Sequence, residues 1–187
     1  VNAGDGSDTV VLSGDGNVVS DTGASLNSVE NLVLEGTSLT IDAAKLMALD
    51  SVSGSAATSD VVVDVMGGED VDLSGIGLTG LKSITAVGGA ANFIMSADQI
   101  NEVGAIIGAA GASTKVTTTV AGLNVLGSKV TAGEGSSAPS FEVRDTQQNI
   151  DAASEIISSM GATAFVFVDG GNIYQLTAAD GIAGPDG

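Results

Sequence analysis

Aspartates set between glycines near the start of the chain are the residues best suited to chemistry. Residues 3–11 hold Asp5 and Asp8, and Asp15 follows in a second glycine-rich run. The 187 residues include neither Cys nor His, which excludes thiol nucleophiles, imidazole bases and Cys or His metal sites. Oxygen atoms are the remaining metal ligands, and they favour hard cations such as calcium.

The charge of the chain limits its partners. Acidic residues number 23 against 5 basic ones, a formal net charge of −18. This charge argues against nucleic acid or an anionic membrane as a partner. No apolar run reaches the roughly 18 residues that a membrane-spanning helix needs, so membrane insertion is not expected. Because 43% of the residues are hydrophobic, we expect a folded core instead of disorder.

Two segments of the sequence show the same succession of patterns 54 residues apart. Residues 39–49 and 93–103 each read as an alternating apolar strand, then Asp42 or Ser96 as a helix N-cap, then apolar residues at helical spacing. One such unit cannot bury its apolar face alone, so we predict that successive units stack on each other. A second pair of segments matches at an offset of 52 residues: 26–32 and 78–84.

The predicted fold is mainly β, a parallel β-solenoid or β-roll-like stack of strand-strand-helix repeats with short helices on one side. The alternative is a single α/β or α+β domain in which the similarity is accidental. Glycines such as Gly36 and Gly88 are expected at corners, where positive φ is needed. Return strands are predicted at 60–66, 115–120 and 164–168. The predicted boundaries are a glycine- and aspartate-rich segment at 1–24, repeat units at 25–76 and 77–131, a hinge at 132–140, a third unit with the start of a fourth at 141–180, and a linker tail at 181–187.

The glycine-rich opening resembles the calcium-binding repeats of the RTX (repeats-in-toxin) family. Residues 3–11 fit the nonapeptide G-G-x-G-x-D-x-U-x at every fixed place except the first, where Ala3 replaces Gly. The resemblance implies that successive turns of a β-roll hold calcium, with Asp5 and Asp8 as ligands and Val10 packed inside.

Two weaker copies of the nonapeptide add two candidate ligands. Residues 13–18 include Asp15 but lack the later Asp of the pattern, and residues 67–73 place Asp72 correctly but lack a Gly. The resemblance therefore implies a metal set of Asp5, Asp8, Asp15 and Asp72. The alternative is that these aspartates form acidic turns without a metal.

The second half of the chain also resembles secreted RTX-type adhesins and surface proteins. The segments that carry this resemblance are 143–150, 161–162 and 176–180. It implies type I secretion and a location outside the bacterial cell or on its surface. We expect the sequence to be an internal piece of a longer protein.

The sequence therefore predicts a structural, calcium-stabilised segment that associates with further copies of itself in an adhesin, surface layer or extracellular filament. We do not expect an enzyme or catalytic residues, because the serines have no histidine partner and no nucleophile-elbow or P-loop motif occurs. One alternative is an adhesion module that binds glycan, ice or a host receptor through a flat face, with 116–120 as the dense threonine patch. Another is the calcium-roll appendage of a secreted hydrolase.

Overall fold

The computed structural model describes residues 3–19, 26–152, 164–169 and 172–177. Within these ranges no helix is long and apolar enough to span a membrane. The helices are α1 (Ala43–Leu46), α2 (Ala97–Glu102), α3 (Val120–Leu126) and α4 (Gln147–Ala152). The strands are β1 (Thr9–Ser13), β2 (Asn17–Val19), β3 (Asn31–Glu35), β4 (Ser38–Asp42), β5 (Ser51–Ser53), β6 (Asp60–Asp64), β7 (Glu69–Asp72), β8 (Gly77–Thr79), β9 (Leu81–Val87), β10 (Ala91–Ile94), β11 (Val103–Ile107), β12 (Thr114–Thr118), β13 (Val130–Thr131), β14 (Ser140–Val143), β15 (Ala164–Asp169) and β16 (Asn172–Thr177).

Strands β1 to β14 form three parallel sheets. The N-terminal sheet has the order β1-β3-β5-β8, the six-stranded sheet β2-β4-β6-β9-β11-β13 reversed from its C-terminal edge, and the C-terminal sheet β7-β10-β12-β14. Strands β15 and β16 pair antiparallel, and β15 lies beside β14. The prediction of a mainly β fold with short helices is confirmed at this level.

Paired strands lie 20 to 26 residues apart along the chain. In the N-terminal sheet Thr9 pairs with Asn31, Asn31 with Ser51, and Ser51 with Gly77. This interval is about half of the offsets at which the sequence patterns match. Neighbouring strands therefore come from segments closer in sequence than the predicted repeat units.

The longer offset has a physical explanation in the two strand-helix junctions. Strand β4 belongs to the six-stranded sheet and β10 to the C-terminal sheet, so the matched segments do not occupy equivalent positions. Helix α1 contacts β7 and helix α2 contacts β8, each an outermost strand of its sheet. The repeated pattern marks the places where a helix lies against a sheet edge. The predicted unit boundaries themselves stay predictions.

Columns of apolar side chains at paired positions form the core. In the six-stranded sheet Leu39, Val61 and Ile84 follow one another in register, and each is at most 1% exposed. Full burial of such a side chain stabilises by about 1.5–3 kcal/mol. Val10, which the resemblance places inside, pairs with Leu32 and packs half-buried against this core.

Helix α2 has the N-cap that the sequence predicts. The Ser96 hydroxyl accepts the Gln99 N–H, and the Gln99 side chain accepts the Ser96 N–H at 2.7 Å, a complete capping box. Asp42 also stands at an N-cap, but its side chain makes no capping hydrogen bond there. Its carboxylate lies 3.1 Å from the Lys45 Nζ instead. Both predicted helix starts are found, by different contacts.

The predicted corner glycines have the backbone that the sequence requires. Gly36 and Gly88 have φ angles of 66° and 86°. A Cβ at Gly88 would lie 2.6 Å from the Asp64 Oδ1 and 3.1 Å from the Val65 carbonyl oxygen. A larger residue at this corner would therefore disturb the neighbouring strand as well as its own turn.

The predicted return strands coincide with β6, β12 and β15, but the chain enters helix α3 earlier than expected. Residue Val120, taken as the end of a strand, is the first residue of α3. The Thr119 hydroxyl accepts the Gly122 N–H at 3.2 Å and caps this helix. The segment 132–139, predicted as a hinge, holds neither helix nor strand.

Candidate functional site

The four aspartates predicted as calcium ligands occupy different surroundings. Asp5 and Asp15 are exposed in turns, Asp8 is half-buried directly before β1, and Asp72 is exposed at the end of β7. Among the residues that the structure describes, no three acidic side chains come together as a metal-binding group. The complete predicted ligand set therefore does not share one site in this arrangement.

Asp8 is joined to Glu30, a residue that the sequence reasoning missed. The Asp8 N–H donates to the Glu30 Oε2 at 2.7 Å, and the Asp8 carbonyl oxygen accepts the N–H groups of Glu30 and Asn31 at 3.3 and 3.0 Å. Glu30 lies 22 residues after Asp8, at the interval of paired strands. That interval is the signal that could have identified it.

The carboxylate of Asp8 fits a bound cation. Its Oδ2 atom is buried and has no hydrogen-bond partner among the described residues. A buried carboxylate oxygen without a partner is costly, and a cation is one way to satisfy it. Oxygen donors stand close by in the sequence and across the strand pair, namely the Glu30 carboxylate and the Ser7 hydroxyl. Calcium accepts ligands of this kind.

Asp72 is engaged in a local turn. Its Oδ1 accepts the Ser74 hydroxyl at 2.6 Å and the Ser74 N–H at 2.9 Å. These hydrogen bonds hold the pKa of Asp72 below its ordinary value. The contacts favour the alternative reading for this residue, that of an acidic turn.

The dense threonine patch lies inside the protein. Thr117 and Thr118 are 1% and 4% exposed. The Thr117 hydroxyl donates to the Asn92 Oδ1 at 2.8 Å, and the Thr118 hydroxyl donates to the Met95 carbonyl oxygen at 2.6 Å. This patch cannot present an outward array to a ligand.

A different array lies on the outward face of the six-stranded sheet. One residue from each strand falls in register, and alternate strands contribute a threonine. Most of these side chains are half-buried, and the two at the ends of the sheet are exposed. We call this set the Val/Thr stripe: Val18, Thr40, Val62, Thr85, Ile107 and Thr131.

The C-terminal sheet carries an ion-pair group at its last two strands. Glu142 accepts the Lys115 Nζ at 2.9 Å and the Arg144 Nε at 2.6 Å, and its own side chain is only 9% exposed. Burial opposes the charge of Glu142. The hydrogen bonds from Lys115 and Arg144 outweigh this effect and hold the pKa of the carboxyl below its ordinary value.

A cleft of about 490 Å³ lies between the β7–β8 turn with β8 and helix α2. Asp98 and Glu102 lie on its α2 side, and the Glu102 Oε2 accepts the Gly80 N–H at 3.0 Å. The buried Gln99 amide donates to the carbonyl oxygens of Leu73 and Ile76. The polar groups of the cleft therefore hold α2 against the edge of the N-terminal sheet.

Comparison with known proteins finds no match. No protein-family model, curated protein or solved structure is similar to this chain at a significant level. The resemblance to the RTX family stays a hypothesis from the sequence. A function must be argued from the residues and their geometry.

Proposed function

We propose that this chain is a calcium-stabilised structural segment of a secreted, RTX-type bacterial surface protein, such as an adhesin, a surface layer or an extracellular filament. In this proposal the three parallel sheets are the sides of a β-solenoid. The observation that carries it is the parallel, in-register pairing of strands 20 to 26 residues apart. A chain that advances by one strand position in each such interval winds into a stack.

The proposed stack derives its stability from contacts between successive turns. Leu32 and Val52 are paired in the N-terminal sheet and are both 0% exposed, although each lies in a strand too short to bury a side chain alone. Such an element is stabilised along its length by many similar contacts. It suits a load-bearing or spacing role, which requires no catalysis.

Calcium has a specific place in the proposal at Asp8 and Glu30. A chain with a net charge of −18 repels itself when it folds, and its unpartnered Asp8 Oδ2 adds to that cost. A cation that binds only the folded chain stabilises it by mass action, by about 2.7 kcal/mol at a free concentration 100 times the Kd. An extracellular location would supply calcium continuously.

Thermal unfolding with and without calcium tests this part of the proposal. We expect a higher melting temperature in excess calcium than in EDTA, and we expect Asp8→Asn to abolish most of the difference. Glu134→Gln is the matched control, because it removes one charge at an exposed position elsewhere and should keep the calcium response. Equal melting temperatures of the unaltered protein in calcium and EDTA would remove calcium from the proposal.

Self-association is proposed to use the end formed by β1 and β2. These are outermost strands of two sheets, and Val11 and Val18 are 53% and 51% exposed there. Outermost strands leave unpaired N–H and C=O groups that can pair with another chain. Strand β7, by contrast, carries three acids at its sheet edge, which oppose such pairing.

Sedimentation velocity over a range of protein concentrations tests the association. We expect the unaltered protein to form larger species as its concentration rises. The double variant Val11→Lys with Val18→Lys should sediment as a monomer, because two charges disfavour pairing at that end. The control is Met66→Lys, since Met66 is 78% exposed in a turn away from β1 and β2. A monomer at every concentration, with and without calcium, would contradict the proposal.

A further inference from the structure

The Val/Thr stripe crosses all six strands of its sheet at a constant interval. Val18 pairs with Thr40 and Thr40 with Val62 at one end, and Ile107 pairs with Thr131 at the other. Neighbouring strands are about 4.8 Å apart, so threonines on alternate strands repeat at about 9.6 Å. The stripe therefore presents hydroxyl groups in a regular row.

These hydroxyl groups are available to a ligand. Thr40 and Thr85 are half-buried and Thr131 is exposed, and none of the three side chains hydrogen-bonds to another residue in the described part of the chain. All six members of the stripe are β-branched, which restricts rotation about χ1. The methyl and hydroxyl groups are thus largely ordered before a ligand arrives, so binding costs little side-chain entropy.

The charge of the stripe narrows the class of ligand. None of its six side chains is charged or aromatic, although the whole chain carries −18. It therefore offers neither an ion pair nor a ring on which a sugar could stack. A second copy of the chain is disfavoured, because Asp42 and Asp64 flank the stripe two residues beyond Thr40 and Val62 and would meet like charges.

We propose that the Val/Thr stripe binds the surface of ice, a function beyond the structural role of the segment. Ice is neutral, and its water molecules donate and accept hydrogen bonds at regular intervals. Threonine hydroxyls can replace water molecules in that lattice, while the methyl groups of Val18, Val62 and Ile107 occupy the spaces between them. The repeated row matters because each single hydroxyl contributes little.

Partitioning into slowly growing ice tests this proposal. A solution of the purified protein is frozen gradually on a cooled surface, and the protein concentration in the ice is compared with that in the remaining liquid. We expect the protein to be enriched in the ice relative to an unrelated acidic protein of similar size. Equal exclusion of both proteins would overturn the proposal.

Two lysine variants separate the stripe from the rest of the surface. Thr85→Lys places a long charged side chain in the middle of the row and should lose the enrichment completely. Thr79→Lys makes the same change at an exposed threonine of the N-terminal sheet and should keep it. Equal enrichment of the two variants, or a loss in both, would overturn the proposal. Thr131→Lys, at the exposed end of the stripe, replaces Thr85→Lys should thermal unfolding show that the latter is not folded.

Discussion

Threonines of the six-stranded sheet and of the C-terminal sheet differ in what their hydroxyl groups do. Thr85 is half-buried, and its hydroxyl makes no hydrogen bond to another described residue. Thr117 is 1% exposed and donates to Asn92. Both lie in parallel strands among apolar neighbours. The difference teaches that a strand pattern identifies a threonine position but not whether the hydroxyl serves the fold or remains available outside it.

The largest expected effect contrasts the inside of the C-terminal sheet with the stripe. Phe93 is 0% exposed and lies in register between Val71 and Val116. We expect Phe93→Ala to lower the free energy of unfolding by about 3–5 kcal/mol, because it leaves a cavity. Val62→Ala in the stripe should cost far less, since Val62 is half-buried at an outward position. Urea denaturation measures both, and similar losses would contradict this assignment of inner and outer faces.

A middle-sized effect compares the hydrogen-bonded and the free polar groups directly. Asn92 is 7% exposed, donates to the Asp70 Oδ1 at 2.8 Å and accepts from Thr117. Asn92→Ala leaves the buried Thr117 hydroxyl without this partner, so we expect a loss of about 1–3 kcal/mol in the free energy of unfolding. Thr85→Ala, which removes no hydrogen bond within the described residues, should change it by less than about 0.5 kcal/mol. Equal losses in denaturation experiments would show that the two hydroxyls are not in different environments.

The smallest expected effect is in the pH dependence of stability. The pKa of Glu142 is lower in the folded protein than the ordinary value of about 4.3, so its contribution is present above that pH. The contribution is lost as the pH falls further, through the lowered pKa of the folded state. We expect Glu142→Gln to flatten part of the decline in unfolding free energy below about pH 4.3. Thr85→Ala should leave the decline unchanged, and an unchanged slope in Glu142→Gln would show that the ion-pair group contributes nothing.

Local features of the fold could be predicted from the sequence, while contacts that depend on register could not. Ser96 is followed three residues later by Gln99, which is the signature of a capping box, and the structure contains it. Strands β4 and β10 have similar alternation, and alternation alone does not say which sheet a strand joins. Glu30 reaches Asp8 only because strands 22 residues apart are paired. The pairing interval was therefore the missing information.

The burial of Thr117 shows a second limit of sequence reasoning. Its neighbours Val116 and Thr118 are also buried, so the strand does not show the alternation of a half-exposed sheet. Runs of β-branched residues are typical of strands in either situation. Which groups cover the outer side of a strand depends on the rest of the chain, and a five-residue window does not contain that information.

The two shorter parallel sheets overlap along the chain, and this has a mechanical consequence. The C-terminal sheet begins at β7 before the N-terminal sheet ends at β8, while the six-stranded sheet continues past both. The arrangement is comparable to a lap joint between two boards fixed to a third. Tension along the molecule is then shared by overlapping sheets, so pulling experiments on single molecules should find no weak seam between residues 69 and 79.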